Sequence, residues 1–132
     1  PSGRLAGEPM SKNMDAVIGM DRNGITGLMN SVLKVDMRQF PCGTCLDIML
    51  HPSAVRGDDG VQILVSLIRT FIAHGGSGIQ FNIFDAAVLR DAQIHPEKYE
   101  NLQVRVCGWN VRFTDLDSAA QETFIRQAEA IA

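Results

Sequence analysis

The apolar residues of the chain recur with two different periods, which predict helices and strands in turn. Between residues 25 and 35 the spacing is three and four residues, typical of an amphipathic helix, at Ile25, Leu28, Met29, Val32 and Leu33. Residues 61–74 are apolar on almost every side, so they predict a helix that is buried on most of its faces. A chain of 132 residues can hardly supply that much cover, and we therefore expect this helix to pack against another chain.

Strict alternation of apolar and polar residues predicts strands in the second half of the chain. It extends over residues 79–83 and again over residues 102–106, and each run has the length of an ordinary strand. A further short apolar run lies between Pro41 and Pro52 and is compatible with a third strand.

Two more helices are predicted from their first residues. Asp85 can cap a short helix that runs through Gln93. Ser118 and Gln121 have the spacing of a capping box, which opens a C-terminal helix with one face formed by Ala120, Phe124, Ala128 and Ile131. Helices and strands thus alternate along the chain, and this order predicts an α/β fold with parallel-sheet character.

The composition excludes several classes of partner. The 12 basic residues are scattered among 15 acidic ones, and the net charge is −3, so nothing favours nucleic acid or an anionic membrane as a partner. No apolar run approaches the roughly 20 residues of a membrane span. Because no signal peptide is recognisable and the three cysteines are an odd number, we expect the protein in the reducing cytoplasm.

The first 24 residues are rich in turn-forming residues, so they predict an irregular segment that runs over the surface of a partner. The start, PSGRLAGEP, carries no methionine at its first position and resembles the middle of a longer sequence. We therefore expect either a processed chain or a piece of a larger protein.

The residues that could bind a metal or attack a substrate lack the partners that such chemistry needs. Cys42 and Cys45 form a single CxxC pair, whereas a zinc site normally has four ligands, so we expect free thiols without metal; a redox role is the weaker alternative. HGGSG, residues 74–78, is similar to the oxyanion loop of esterases, but the chain has no G-x-S-x-G nucleophile. That loop is then a helix end and a tight turn, with His74 at the helix end and His95 in a later loop.

Gly108 interrupts an apolar segment, LQVRVCGWNVRF, and glycine weakens the interior of a strand. One explanation is a turn or bulge. The other is that a reaction uses its α-carbon: a radical there is delocalised over the adjacent amide groups and needs a planar centre, which a β-carbon would crowd. The apolar side chains around the glycine are expected to bury such a loop, namely Val104, Val106, Trp109, Val111 and Phe113.

The segment RVCGWNVRF, residues 105–113, fits the pattern R-V-x-G-[YFW]-x-x-x-F. Together with the glycine pair Gly75-Gly76, the QFN of residues 80–82 and residues 92–102, it resembles the C-terminal signature of glycyl radical enzymes, the pyruvate formate-lyase-like family. The front stretches GRLAGEPMSKN, GMDRNGITGLMNSV and LHPSAV are similar to that family as well, so the resemblance covers essentially the whole chain.

The resemblance implies that Gly108 stores a radical within a loop that contains Arg105, Val106, Cys107 and Trp109. Trp109 stands where tyrosine or phenylalanine is commoner, and Cys107 where serine or alanine is commoner; neither change removes the α-carbon. The implied cofactor chemistry is external, because an activase with S-adenosylmethionine and an iron–sulfur cluster installs the radical and the chain itself binds no cofactor. The radical is oxygen-sensitive and belongs to anaerobic metabolism.

The resemblance further implies the C-terminal portion of a ten-stranded α/β barrel, with residues 1–74 completing the barrel and residues 75–132 carrying a strand, the glycine loop and the C-terminal helix. The glycyl radical then passes to a thiyl cysteine that lies in a Gly-Cys-Val-Glu-like setting. Cys42, Cys45 and Cys107 lack that setting, so the thiyl cysteine is expected on a larger partner chain.

Two functions follow from the resemblance. The favoured one is the C-terminal part or small subunit of an anaerobic lyase, dehydratase, decarboxylase or formate acetyltransferase, inactive without its partner chain. The alternative is a non-catalytic spare part that replaces the oxygen-damaged C-terminus of such an enzyme, although the match over residues 1–74 speaks against it. An ordinary α/β binding domain is a third, weaker hypothesis. The substrate and the bond that is cleaved depend on residues outside this sequence.

Overall fold

The computed structural model describes residues 3–8, 10–106 and 108–131. Eight regular elements follow one another in the described residues: α1 (Gly24–Val32), β1 (Cys45–Leu50), α2 (Gly57–Ala73), β2 (Gly78–Ile83), α3 (Ala86–Ile94), β3 (Gln103–Val106), β4 (Trp109–Arg112) and α4 (Ser118–Ala130). Short 3-10 turns lie at Met37–Gln39, Pro52–Val55, Pro96–Lys98 and Phe113–Asp115. The expected alternation of helices and strands, and hence the α/β class, is confirmed.

β1 and β2 form a parallel pair joined by α2, with a register that runs from Cys45 opposite Gly78 to Leu50 opposite Ile83. This confirms the parallel pairing and shows that the uncertain apolar run between the two prolines is a strand. One face of the pair is apolar: Leu46, Ile48 and Leu50 are buried there. The opposite face carries Cys45 and Asp47 and has a different role, described below.

The first hydrophobic core lies on the apolar face of the β1–β2 pair, under α1 and α2. Its buried side chains are Met29, Val32, Met37, Leu46, Ile48, Leu50 and Phe71. Helix α1 contributes its Met29 and Val32, as the spacing of three and four residues predicts. This core holds the parallel pair in place, and the pair in turn positions the side chains on its opposite face, such as Cys45 and Asp47.

β3 and β4 form an antiparallel hairpin in which Gln103 pairs with Arg112 and Val106 pairs with Trp109. The sequence predicted β3 but not β4, and it predicted no antiparallel pairing, so the expectation of parallel-sheet character holds only for β1 and β2. The physical reason is that β4 has no buried residue; its Asn110 and Arg112 are exposed, and the alternation signal is correspondingly weak.

The second hydrophobic core joins the base of the hairpin to α3 and α4. Its buried residues are Leu89, Ala92, Val104, Phe113, Phe124, Ile125 and Ala128. α3 is capped by the Asp85 side chain, which accepts a hydrogen bond from the amide of Ala87, as predicted. The helix ends at Ile94, one residue beyond the predicted Gln93, and His95 follows it.

The start of α4 differs from the capping box that the sequence suggested. Asp117 is the cap: its carboxylate accepts from the amide of Ala120 at 2.8 Å, and Ser118 is already the first helical residue. Gln121 does not reach back to the helix start, because its side chain is buried and donates to the carbonyl of Phe113 at 3.0 Å. The predicted box was therefore wrong by one residue, although the helix and the burial of Phe124 and Ala128 are as predicted.

Helix α2 shows the largest departure from the burial that its sequence suggested. Only Gly60 and Phe71 are buried, while Val61, Ile63 and Ile72 are 53%, 42% and 60% exposed. The helix is thus not buried on most of its faces by the described residues, and it presents apolar side chains outward. Within the described part of the chain, no helix is both long and apolar enough to cross a membrane.

Candidate functional site

The turn of the β3–β4 hairpin places Gly108 at its tip. The last pair of the ladder is Val106 with Trp109, and Gly108 lies in the turn between these two residues. Gly108 has φ +94, a conformation that L side chains rarely adopt, yet a β-carbon placed there would meet no atom within 4 Å. The backbone conformation, not lack of space, therefore requires glycine in this fold. Cys107, also predicted as part of this loop, lies outside the described residues.

The apolar side chains of the hairpin bury its base and leave its tip open. Val104 and Phe113 lie in the second core, and Val106 and Val111 pack against it. Trp109, in contrast, is 78% exposed. The expectation that these five side chains cover the glycine is therefore wrong for Trp109, which belongs to the last pair of the ladder, at the open end of the hairpin.

Arg105 is the most extensively bonded residue of the predicted radical loop. Its backbone N–H donates to the Asn82 side-chain oxygen at 3.0 Å, and its carbonyl accepts from the Asn82 amide at 3.2 Å. Its guanidinium donates to the side-chain oxygens of Gln80 and of Asn110, the latter at 3.0 Å across the hairpin. The sequence placed Arg105 and the QFN of residues 80–82 in one family pattern, and the structure shows that they are direct contacts.

Below these contacts lies a polar cluster on the second face of the β1–β2 pair. Gln80 donates to Asp47 Oδ1 at 2.6 Å and to the Cys45 sulfur at 2.9 Å. The irregular N-terminal segment also reaches this cluster, since Asp15 accepts from the Asp47 amide at 2.7 Å and Asn13 donates to the Asp47 carboxylate at 3.1 Å. Part of the segment predicted to cover a partner thus lies on this chain's own strand β1.

Burial raises the pKa of two titratable groups of the cluster, Asp15 and Cys45. Burial raises the pKa of Asp15 to about 7, with the charge of Asp47 acting in the same direction and the bond from the Asp47 amide opposing it. Burial also raises the pKa of the Cys45 thiol, and the nearby Asp47 adds to the effect. Cys45 is therefore a protonated thiol at neutral pH and a poor nucleophile.

Neither CxxC cysteine is engaged in a disulfide, and Cys42 is exposed. Across residues 3–8, 10–106 and 108–131, no three His, Cys, Asp or Glu side chains come together as a metal site would require. The described residues of the site thus form a polar network beside a glycine turn.

The HGGSG segment has the structural role that its sequence indicated. Gly75 and Gly76 donate to the carbonyls of Ile72 and Phe71 and so end α2. The Ser77 hydroxyl accepts from the amide of Thr44 at 2.7 Å and donates to its carbonyl at 2.8 Å, which pins the turn to the start of β1. His74 ends the helix as predicted, and its ring nitrogen lies 2.8 Å from the Thr70 carbonyl.

Comparison with known proteins gives this arrangement a family. Residues 10–114, which include the whole hairpin, match the glycine radical family. Indoleacetate decarboxylase of Tractidigestivibacter scatoligenes is 38% identical over 130 residues, covering 98% of this chain and 15% of the relative. The 4-hydroxyphenylacetate decarboxylase glycyl radical subunit of Clostridium scatologenes is 37% identical over 128 residues, covering 96% of this chain and 14% of the relative.

The fold is shared as well as the sequence. The B12-independent glycerol dehydratase of Clostridium butyricum, solved in its glycerol-bound form, superposes with a TM-score of 0.86 at 40% identity, over 94% of this chain and 16% of that one. This chain accordingly spans about one sixth of the length of the proteins it matches. On the family match, the identities and the common fold, the chain belongs to the glycine radical family as a C-terminal glycyl radical domain of the kind found in these decarboxylases and dehydratases.

Proposed function

We propose that Gly108 carries a protein-based radical and that this chain is the C-terminal glycyl radical part of a larger lyase-type enzyme, such as a decarboxylase or a dehydratase. The observation that carries the proposal is the family match over residues 10–114, because the matched region contains the hairpin with Gly108 at its tip. A φ of +94 explains why a glycine stands in the turn, but it does not by itself indicate a radical. The assignment of the radical to Gly108 therefore rests on the family match and on the RVCGW motif around the turn.

The tip of the hairpin has the access that radical installation requires. The activase, which uses S-adenosylmethionine and an iron–sulfur cluster, removes one hydrogen atom from the Gly108 α-carbon and leaves the other in place. Gly108 and Trp109 are both exposed at the tip, so an external protein can reach that carbon in the described fold. The radical is then stabilised by delocalisation over the two adjacent amide groups.

The next step in our proposal needs a thiol in the Gly-Cys-Val-Glu-like setting of the family's thiyl cysteine, and none of Cys42, Cys45 and Cys107 has that setting. The radical takes a hydrogen atom from a cysteine, which becomes the thiyl that attacks the substrate, and such a transfer needs near contact. In the described residues Cys45 is held in the polar cluster by Gln80, and Cys42 is exposed and precedes β1. We therefore assign the thiyl cysteine to a larger partner chain or segment, which agrees with a relative being named a glycyl radical subunit.

The described fold also supports a place for this chain in a larger barrel. A parallel pair with only two strands is too small to stand alone, and parallel sheets are normally extended by further strands and covered on both faces. We propose that residues 1–74 complete a ten-stranded α/β barrel and that residues 75–132 carry the radical hairpin and α4. The two free thiols agree with a reducing compartment such as the cytoplasm.

The extent of the family match favours one of the two functions that the sequence left open. A spare part for a damaged C-terminus needs the glycine hairpin and its nearby helices, whereas the family match begins at residue 10 and includes α1, β1 and α2. We therefore prefer a catalytic complex to a replacement module.

The decisive experiment is electron spin resonance on the intact enzyme after anaerobic treatment with an S-adenosylmethionine activase of this family. We expect a doublet, because one hydrogen remains on the Gly108 α-carbon and splits the signal. Admission of air should then split the chain at residue 108, which mass spectrometry of the fragments would show. Gly108→Ala should abolish both the doublet and the cleavage.

A matched control separates the radical role from the turn role. Gly57 also has a positive φ, +70, and a β-carbon there would likewise meet no atom within 4 Å, so Gly57→Ala carries a similar backbone strain away from the hairpin. We expect Gly57→Ala to retain the doublet and the cleavage at residue 108. A wild-type protein without a doublet, or a Gly108→Ala variant that keeps it, would contradict the proposal.

A further inference from the structure

A chain of side-chain hydrogen bonds crosses all four strands and ends in the glycine hairpin. Asp47 on β1 accepts from Gln80 on β2, Gln80 accepts from Arg105 on β3, and Arg105 donates to Asn110 on β4. The direction at Arg105 is chemically fixed, since a guanidinium can only donate. The amide at position 80 serves both neighbours, because its oxygen accepts from Arg105 and its NH2 group donates to Asp47.

A second contact fixes the hairpin backbone at the same level. The Asn82 side chain bonds both the N–H and the carbonyl of Arg105, as the backbone of a neighbouring strand would. Asn82 is only 7% exposed, so these bonds form away from water and are costly to leave unmade. In the part of the chain that the structure describes, no backbone ladder joins the β1–β2 pair to the β3–β4 pair, and the Asn82 side-chain amide connects the two sheets instead.

These contacts lie near the end of the packed part of the hairpin, one residue before Val106, the last side chain of β3 that packs against the second core. The base is held by Val104 and Phe113 in the second core, and the tip at Gly108 and Trp109 is exposed. Arg105 lies three residues before Gly108, on the strand that leads into the turn. A small tilt of the strand at Arg105 therefore moves the tip by a larger amount.

We propose that Gln80 and Asn82 are positioning residues for the radical: they hold Arg105, and through it the hairpin, so that the Gly108 α-carbon is presented to its hydrogen donor in one fixed pose. This inference rests on the proposed function of Gly108. Each transfer is balanced within the protein: the thiol S–H bond breaks, a C–H bond forms at Gly108, and the sulfur becomes the radical; the reverse step restores both groups.

Loss of the network has an effect that can be measured without the substrate. The first test is hydrogen exchange of the hairpin amides, residues 103–106 and 109–112, in the intact enzyme before activation. Gln80→Met removes both amide functions of the linking side chain at nearly constant volume. We expect exchange in the hairpin to rise about fivefold or more, as the loss of one to two net hydrogen bonds predicts, with α4 unchanged.

The matched control is Gln39→Met. Gln39 also donates its side-chain amide to an aspartate, Asp36, at 2.9 Å, but it is exposed and far along the chain from the hairpin. The same chemical change there should leave hairpin exchange as in the wild type. If exchange in α4 also becomes faster, Gln80→Met has destabilised the whole fold, and Asn110→Ala is then the variant that tests the inference. Asn110 is exposed, and its substitution removes only the last hydrogen bond of the network, the one from Arg105.

The second test reads the pose of the radical itself. In deuterium oxide the donor thiol carries deuterium, so a transfer to Gly108 followed by return of hydrogen replaces the hydrogen on the radical carbon. The doublet then collapses to a signal without the hydrogen splitting. The rate of this collapse reports how often a hydrogen atom is transferred between the Gly108 α-carbon and the sulfur of the donor cysteine. We expect collapse to be about tenfold slower in Gln80→Met than in Gln39→Met, at equal initial spin, because misplacement by about 1 Å has effects of this size or larger.

The outcomes are distinct. Faster hairpin exchange with slower collapse supports the inference, and hairpin exchange equal to that of the Gln39→Met control overturns it. Faster exchange with unchanged collapse also overturns it, because the network would then stiffen the hairpin without positioning the radical. Absence of a doublet in the wild type is a failure of the proposed function instead, and the exchange measurements still decide whether the network fixes the hairpin.

Discussion

Asp15 is an acidic side chain in an unfavourable position, and the reason is local. It lies against β1, accepts a bond from the Asp47 amide and shares the neighbourhood with the Asp47 carboxylate and, more remotely, Asp21. Lys12 opposes this effect with its positive charge, but burial dominates and raises the pKa of Asp15 from 3.8 to about 7. The carboxyl group is therefore accommodated best when it is protonated.

The sign of the pH dependence follows from this shift. Because the folded state holds the proton more tightly than the unfolded chain, the contribution of Asp15 to stability is intact below pH 3.8 and is lost as the pH rises through about 7. Asp15→Asn keeps the acceptor for the Asp47 amide and removes the charge. At pH 8 we expect the free energy of unfolding of Asp15→Asn to be about 1–2 kcal/mol higher than that of the wild type; this value is reduced for the partial exposure of the Asp15 side chain.

Thermal unfolding of the intact protein at pH 5 and pH 8 checks this expectation. The difference between Asp15→Asn and the wild type should grow with pH, and Asp21→Asn serves as the matched control that changes the same charge at a more distant carboxyl. A constant difference at both pH values would show that Asp15 has an ordinary pKa.

Single residues also show the limits of prediction from sequence. Gly108, Arg105 and the QFN segment could be identified because they occur in a fixed pattern. Asp15, Asp47 and the contact of Asn82 with the Arg105 backbone could not, since they depend on the register of two strands that are far apart in the sequence and on a hairpin joined to them only by side chains. The alternation of apolar and polar residues predicts which face of a strand is buried, but it does not predict which other strand or hairpin lies beside it.

At the level of elements, the start of α4 tests the competition between two capping residues. Aspartate and serine are both good caps, and the sequence D-S-A-A-Q places them side by side. The chain uses Asp117, because Gln121 is drawn into the second core by its bond to the Phe113 carbonyl and is no longer available for a capping box. Tertiary contact thus overrides the local motif.

The expected consequence is an asymmetry between two neighbouring alanine substitutions. Asp117→Ala leaves the Ala120 amide without its acceptor and should lower the free energy of unfolding by about 1 kcal/mol. Ser118→Ala, at the first helical position, should change it by less than about 0.5 kcal/mol. Hydrogen exchange of the first turn of α4 in the intact protein measures both, and the reverse order would restore the capping box.

The elements themselves were predictable where packing imposes a period. The four helices and the strands β2 and β3 were predicted from the spacing of their apolar residues or from a cap, with errors of a few residues at their ends, whereas β1 was only a possible strand. β4 has no buried residue and is defined by its pairing with β3 alone. A strand that exists only through its partner carries no independent signal.

For the molecule as a whole, the exposed apolar side chains of α2 are the feature that one chain does not explain. Val61, Ile63 and Ile72 are each more than 40% exposed, and a groove of about 460 Å³ lies between α1 and α2, lined in part by Ile25 and Met29. Apolar surface of this kind marks a contact with further protein. Since the chain covers about one sixth of its relatives, the remainder of a larger enzyme is the occupant we expect.

If the exposed face of α2 is covered in the intact enzyme, polar substitutions on this face should have opposite effects in the isolated chain and in the intact enzyme. Residues 1–132 expressed alone should self-associate, and the triple variant Val61→Gln, Ile63→Gln, Ile72→Gln should reduce that association, because less apolar surface is exposed to water. In the intact enzyme the same variant should lower thermal stability by about 2 kcal/mol or more, since buried apolar contacts are replaced by amides without partners. Sedimentation of the isolated chain and thermal unfolding of the intact enzyme measure the two effects.

The control is Asn30→Gln, a polar substitution at an exposed residue on the rim of the same groove. It should change neither the self-association of the isolated chain nor the thermal stability of the intact enzyme. A wild-type chain that is a stable monomer by itself, with this helix face in water, would show that α2 needs no cover and that residues 1–74 do not complete a barrel.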